Sequence, residues 1–298
     1  MRLILQLLFF FLGFQINHLP VIGQNQMAPT NSTTRLIAHR GGVVTDQIPE
    51  NSLAAIDEAI KRSYYMVEVD VRLTKDRVLI THHDKDFKRY YGDDRLVAEM
   101  TWKEIANLTG NLGQKVLKLK TVLAYSEGKV QVMVDNKING FERNAFDEII
   151  NLLDKYEMRE EALMIGTEAS TEYFTGKLKL SCSIAQLKEN VKRKDFNPGN
   201  YYLFSSTIPA EDFNWAKTHG VMVVGAVNSW AFQRKSVQIT PEETIKNLKM
   251  VGVTYFQIDS VFEEYFKPGL CNRFRRACPV FTGSGVIAIK SGYLETES

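Results

Sequence analysis

Cysteine is scarce in this chain: three in 298 residues, with Cys182 inside an apolar run and Cys271 and Cys278 near the end. That excludes a disulfide scaffold. It also excludes a four-ligand zinc site, because no histidine lies near the last two and no second pair completes a set. In an oxidising compartment Cys271 and Cys278 could pair; otherwise they are free thiols. An excess of one charge is missing too. Lys and Arg number 37 against 35 Asp and Glu, a net +2, which recommends neither nucleic acid nor an anionic membrane as partner. Long apolar runs are absent beyond the first residues. Leu3 to Phe14 is almost wholly apolar, but Gln6, Gln15, Asn17 and His18 keep the stretch short of the roughly 18 residues a membrane span needs. With Arg2 before it and Val21-Ile22-Gly23 after it, residues 1–23 read as a secretory signal peptide. A secreted or periplasmic protein with no stable membrane insertion is expected. Residues 24–34, polar and rich in Asn, Ser and Thr, read as a flexible lead-in.

What is present is ordinary globular composition, 44% hydrophobic and 24% charged, enough for one large domain over residues 35–298. Its most informative stretch runs from Met66 to Asp84. Val67, Val69, Val71 and Leu73 alternate with Glu68, Asp70 and Arg72, the period of two of a β-strand. Val78 to Thr81 reads as an antiparallel return. A two-residue loop at Asp76-Arg77 would pair Lys75 with Val78 and set Asp70 opposite His83. Two carboxylates on one buried face would lose their charge unless a cation neutralised them, so the stripe points to a bound divalent metal.

The rest of the chain repeats strand and helix. Leu36-Ile37-Ala38 begins the fold and ends at His39-Arg40-Gly41-Gly42, an acid–base group beside an anion clamp on a turn that glycine permits. Pro49-Glu50-Asn51-Ser52 opens a helix with Asn51 as the expected N-cap and Leu53, Ile56 and Ile60 as its buried stripe. Residues 85–120 lack long strand patterns and read as an insertion over the mouth, carrying Tyr90, Tyr91, Trp102 and a capping box from Thr101 to Glu104. Further strands are expected at Val130–Asp135, Leu163–Gly166, Leu180–Ile184, Tyr202–Phe204, Val221–Ala226 and Tyr255–Ile258, with a helix around Phe141–Tyr156 among the connections. Another helix is marked by Thr240 and Glu243, Pro241 in its first turn and Gly252 beyond its end. With Leu36 and Met66 as the first two, the parallel strands number eight, the count of an α/β (β/α)₈ TIM barrel with a small insertion after the second-strand hairpin. His39, Glu68, Asp70 and Asp135 fall at or near strand ends, where such barrels carry chemistry, and Lys137 follows Asp135 at a two-residue spacing.

Taken together, His39-Arg40-Gly41, Pro49-Glu50-Asn51-Ser52, the run from Glu68 to Asp76 and His83-Asp84 resemble the glycerophosphodiester phosphodiesterases in order and spacing. The resemblance is weaker but traceable at Val134–Lys137, Val227-Asn228 and Ile258–Ser260. It implies a (β/α)₈ barrel that cleaves a small-molecule glycerophosphodiester into an alcohol and glycerol 3-phosphate with one divalent cation, Ca²⁺ or Mg²⁺. Carried over by motif, His39 and His83 form the acid–base pair, Glu68 and Asp70 are metal ligands with Asp135 as the third, Arg40 holds phosphate, and Glu50 supports the site. Two departures stand out. The family carries Glu-x-Lys where this chain has Asp135-Asn136-Lys137, and a Trp where it has Gly225, which would remove a wall from the alcohol pocket. The chemistry agrees independently: the metal with Arg40 and Lys137 neutralises a phosphodiester, while two histidines move the protons. A related barrel lyase forming a cyclic phosphate would differ in its products. A non-catalytic binder of phosphorylated ligands would not need both histidines.

Overall fold

Alternation along the second strand sorts its side chains into two environments. Val67, Val69 and Val71 join Val132 and Val134 in the apolar layer beneath the helices, leaving Glu68 and Asp70 on the interior face. The computed structural model describes residues 33–233 and 239–267. The leader expected at 1–23, all but the end of the lead-in, and the Cys271–Cys278 pair lie outside the described residues.

Eight parallel strands close the barrel: Arg35–Ala38, Met66–Leu73, Gln131–Asn136, Leu163–Ile165, Lys179–Cys182, Tyr201–Ser205, Met222–Val227 and Tyr255–Ile258. Each pairs with its neighbours in sequence order. The first strand pairs with both the second and the eighth, which leaves no edge. Register matters most between the second and third strands, where Asp70 stands level with Asp135. Inside, Ile37, Met66, Met133, Leu163, Tyr202 and Val224 fill the lumen near the strand starts. The carboxylates lie above this apolar floor, toward the strand ends.

The helices bury one stripe each. Arg143–Lys155 covers Phe146, Ile149, Ile150 and Leu153, each contributing about 1.5–3 kcal/mol by leaving water. Pro241–Val251 has the expected capping box and ends at left-handed Gly252. The first helix, Leu53–Lys61, is capped by Ser52, whose hydroxyl accepts the Ala55 N–H, and not by Asn51. Asn51 is left-handed (φ 51°), and its amide is drawn away to donate to Asp70 Oδ2 at 3.3 Å.

The hairpin register also differs from the expectation. Thr74 N–H donates to Val78, so the loop holds three residues, with Arg77 left-handed at φ 64°. Thr74 Oγ1 braces this loop by accepting the Val78 N–H and donating to Asp76 Oδ1. The extra residue shifts every pair by one, so Val71 faces Thr81 and the His82 N–H reaches the Asp70 carbonyl. After the return strand Leu79–Thr81 comes a short hairpin, Asp86–Phe87 with Asp93–Leu96, enclosing the helix Lys88–Tyr91. A second helix, Trp102–Ile105, carries the Thr101–Glu104 capping box. Ile80, Phe87, Val97, Met100, Ile105 and Val116 give this region its own apolar cluster.

Candidate active site

The turn after the first strand brings two chemical groups into place at once. Arg40 is left-handed (φ 57°), and its backbone N–H donates to Glu68 Oε2 at 2.7 Å. Gly42 must be glycine: at φ 134° a Cβ would stand 2.2 Å from the Ala55 carbonyl oxygen. The turn thereby presses against the first helix and aims His39 inward.

Glu68, Asp70 and Asp135 each offer an oxygen within 4.8 Å of the others. Glu68 and Asp70 are almost wholly buried, and Glu68 Oε1 and Asp70 Oδ1 have no hydrogen-bond partner. Lys137 Nζ lies 2.6 Å from Asp135 Oδ2 and 3.5 Å from Asp70 Oδ1. Burial raises the Glu68 pKa well above the carboxylate range, and the charges of Asp70 and Asp135 raise it further. Burial also raises that of Asp135, aided by Asp70 and opposed by Lys137. Asp70 goes the other way, because His83, Lys137, His39 and the Asn51 amide outweigh the effect of burial. Orphaned carboxylate oxygens converging in a buried place, with hard oxygen donors only, fit a cation of the Mg²⁺ or Ca²⁺ kind.

Both expected histidines reach this cluster, each with a carboxylate behind it. His39 Nδ1 donates to Asp259 Oδ1 at 2.6 Å, and its Nε2 lies 4.0 Å from Glu68 Oε2. Asp259 stands at the end of the eighth strand and also accepts the Ser229 N–H. Burial would raise its pKa, yet the His39 hydrogen bond and charge hold it down at about 2. His83 Nδ1 lies 2.7 Å from Asp84 Oδ1. His83 does not sit opposite Asp70. It leaves the ladder, and its carbonyl accepts two hydrogen bonds from Arg72, at 2.6 and 3.0 Å. His82 is the residue opposite Asp70, and its ring is covered: Nε2 donates to the Asp86 carbonyl at 2.7 Å and the ring stacks on Phe87.

Glu50 is buried among donors. It accepts from Arg40 Nη1 at 3.1 Å, Arg89 Nη2 at 2.9 Å and Tyr90 Oη at 3.0 Å. Arg89 also grips Asp84, Nε to Oδ2 at 2.7 Å and Nη2 to Oδ1 at 2.9 Å. Burial alone would raise the Asp84 pKa, but His83 and Arg89 hold it far below the carboxylate range. Sequence reasoning missed Asp259, Arg89, Asp84 and Arg72 as working parts. Asp84 and Arg72 lay inside the quoted motifs and Asp259 directly after a barrel strand, whereas nothing in the sequence marked Arg89. Gly225 corrects another expectation. Its missing side chain points toward Leu248, Val253 and Phe256 beneath the helices, so it removes no wall from the lumen; Val224, one position earlier, faces inside.

The fold and sequence have relatives. YhdW of Bacillus subtilis is 30% identical over 128 residues, covering 41% of this chain and 52% of that protein. The chain thus spans about half the length of the first curated relatives it matches. A glycerophosphodiester phosphodiesterase of Bacillus altitudinis is 25% identical over 251 residues, 78% of this chain and 95% of its own. Among solved structures, a phosphodiesterase of Oleispira antarctica in complex with the product sn-glycerol-3-phosphate superposes with a TM-score of 0.62 at 16% identity, covering 78% of this chain and 96% of that one. A glycerophosphoryl diester phosphodiesterase of Parabacteroides distasonis gives 0.61 at 20% identity, over 78% and 85%. The description of the glycerophosphoryl diester phosphodiesterase family matches residues 39–261, beginning at the first imidazole of the site and ending two residues past the aspartate that holds it; the chain belongs to that family.

Proposed function

We propose that this protein hydrolyses glycerophosphodiesters to an alcohol and glycerol 3-phosphate, with His39 and His83 as the acid–base pair. The observation that carries the reading is the pairing of each imidazole with its own carboxylate, His39 with Asp259 and His83 with Asp84, next to a buried acidic cluster whose Asp70 feels the charge of both rings. A carboxylate on Nδ1 fixes the tautomer and leaves Nε2 to exchange protons.

Glu68, Asp70 and Asp135 would hold the divalent cation, Ca²⁺ or Mg²⁺, which when bound neutralises phosphate charge and polarises the phosphoryl oxygen. Arg40 and Lys137 supply the remaining positive charge beside the phosphate, and Glu50 keeps the Arg40 guanidinium in place. One histidine takes a proton from the attacking water, whose oxygen becomes bonded to phosphorus. The other protonates the departing alcohol oxygen as the P–O bond breaks.

The supporting arguments are family membership, the orphaned oxygens of Glu68 and Asp70, and the likeness to a protein solved with sn-glycerol-3-phosphate. No helix among the described residues is long and apolar enough to cross a membrane. Together with the leader reading of residues 1–23, we propose an exported protein. A panel of glycerophosphodiesters, assayed with chelator and with Mg²⁺ or Ca²⁺ restored, tests the function. Release of glycerol 3-phosphate that is abolished by chelation and restored by cation is expected; undiminished activity in chelator would remove the metal from the scheme.

A further inference from the structure

The inserted segment reaches the site through Arg89 and Tyr90, and Arg89 makes the wider set of contacts. Arg89, on the four-residue helix Lys88–Tyr91, grips both oxygens of Asp84 side-on and reaches Glu50 Oε1 with the same Nη2. Asp84 passes the contact to His83 Nδ1, and Glu50 passes it to Arg40. An unbroken chain of charged hydrogen bonds therefore runs Arg40–Glu50–Arg89–Asp84–His83. Its guanidinium lies 4.4 Å from the Tyr90 ring centroid, and the Tyr90 hydroxyl closes back onto Glu50 Oε2.

A surface ion pair would be worth little, but this one differs in geometry. The Arg89 and Asp84 side chains are about four-fifths and three-quarters covered, with exposures of 21% and 25%, and Glu50 is nearly sealed at 4%. Three carboxylate oxygens are met by one planar fork, which a lysine ammonium cannot reproduce. By contrast, Arg95 in the same segment is half exposed and pairs with Asp93 two residues away.

We infer that Arg89 is a positioning residue for His83, acting through Asp84. The insertion is thereby a working part of the active site and not only a cover over it. Without the fork, Asp84 can rotate away from Nδ1, and the imidazole loses both its tautomer and its aim. The inference rests on the phosphodiesterase reading for its kinetic test, but not for its spectroscopic one.

The experiment compares wild type, Arg89→Ala, Arg89→Lys and the control Arg95→Ala. Arg89→Ala should lower kcat by about 10²-fold, the cost of a misplaced catalytic group, with KM nearly unchanged. Added guanidinium ion should restore part of that loss. Arg89→Lys should recover little, and Arg95→Ala should stay within about twofold of wild type. In ¹⁵N spectra of the histidine rings, Arg89→Ala should move the His83 Nδ1 signal and leave His39 in place. Unmoved His83 nitrogens in folded Arg89→Ala would overturn the inference, as would an Arg89→Ala variant as active as Arg95→Ala. A wild type that cleaves no phosphodiester would sink the proposed function instead, and the ring spectra would still decide the role of Arg89.

Discussion

Asp259 holds His39 with one oxygen and the chain with the other: Oδ1 stands 2.6 Å from His39 Nδ1, while Oδ2 accepts the Ser229 N–H. The ring is thus tied to the eighth strand and to the turn after the seventh. Asp259→Asn keeps the shape but presents an amide that can donate where the ring also donates. A fall in kcat of at least about 10²-fold is expected, with far-UV circular dichroism unchanged. Steady-state kinetics on a glycerophosphodiester decide it, and wild-type turnover would remove Asp259 from the machinery.

His82 is a structural residue. Only 4% exposed, stacked on Phe87 at 4.6 Å and bonded to the Asp86 carbonyl, it ties the hairpin to the apolar cluster of the inserted segment. His82→Ala should cost about 2–4 kcal/mol in urea unfolding through lost packing and one lost hydrogen bond. Burial lowers the His82 pKa below the ordinary 6.5, so the folded state binds fewer protons than the unfolded chain. Its stabilising contribution is present above 6.5 and is lost as pH falls below that value. The unfolding free energy of His82→Phe should therefore decline less between about pH 7 and pH 5, where histidine titrates, than that of wild type. Parallel declines would show that His82 is not the residue responsible.

Asp135 is held by Lys137 at 2.6 Å and stands level with Asp70 across the second and third strands. Asp135→Ala should abolish measurable divalent binding, whereas Asp135→Glu keeps the donor and should stay within roughly tenfold of wild type, a shift of about 1.4 kcal/mol. Calorimetric titration with Mg²⁺ and Ca²⁺ measures both. Equal affinities in the Ala and Glu variants would rule out Asp135 as a ligand.

Gly225 faces the layer under the helices, where an added Cβ would come within 2.9 Å of Leu248 Cδ1. Gly225→Ala should destabilise by about 1–3 kcal/mol through overpacking and leave the ranking of substrates unchanged. Thermal unfolding and a substrate panel give the two readouts. A changed ranking at unchanged stability would mean that the position shapes the pocket after all.

Local periodicity determined much of this protein from the sequence alone. The eight barrel strands were legible because apolar alternation and capping boxes such as Thr240–Glu243 act within a few residues, and the acidic stripe of Glu68 and Asp70 was legible for the same reason. Tertiary structure decided what those residues meet. A left-handed Arg77 makes the loop three residues long, and that single residue moves His82 opposite Asp70. Asn51 gives its capping place to Ser52 because Asp70, brought near only by the closed barrel, draws its amide. His39 and Asp259 lie 220 residues apart, and Glu50 and Arg89 lie 39 apart, so no local period links either pair. Barrel closure sets their separation: the first strand pairs with the eighth, which carries Asp259 to His39, and hydrogen-bond register puts chemistry together where sequence spacing is silent.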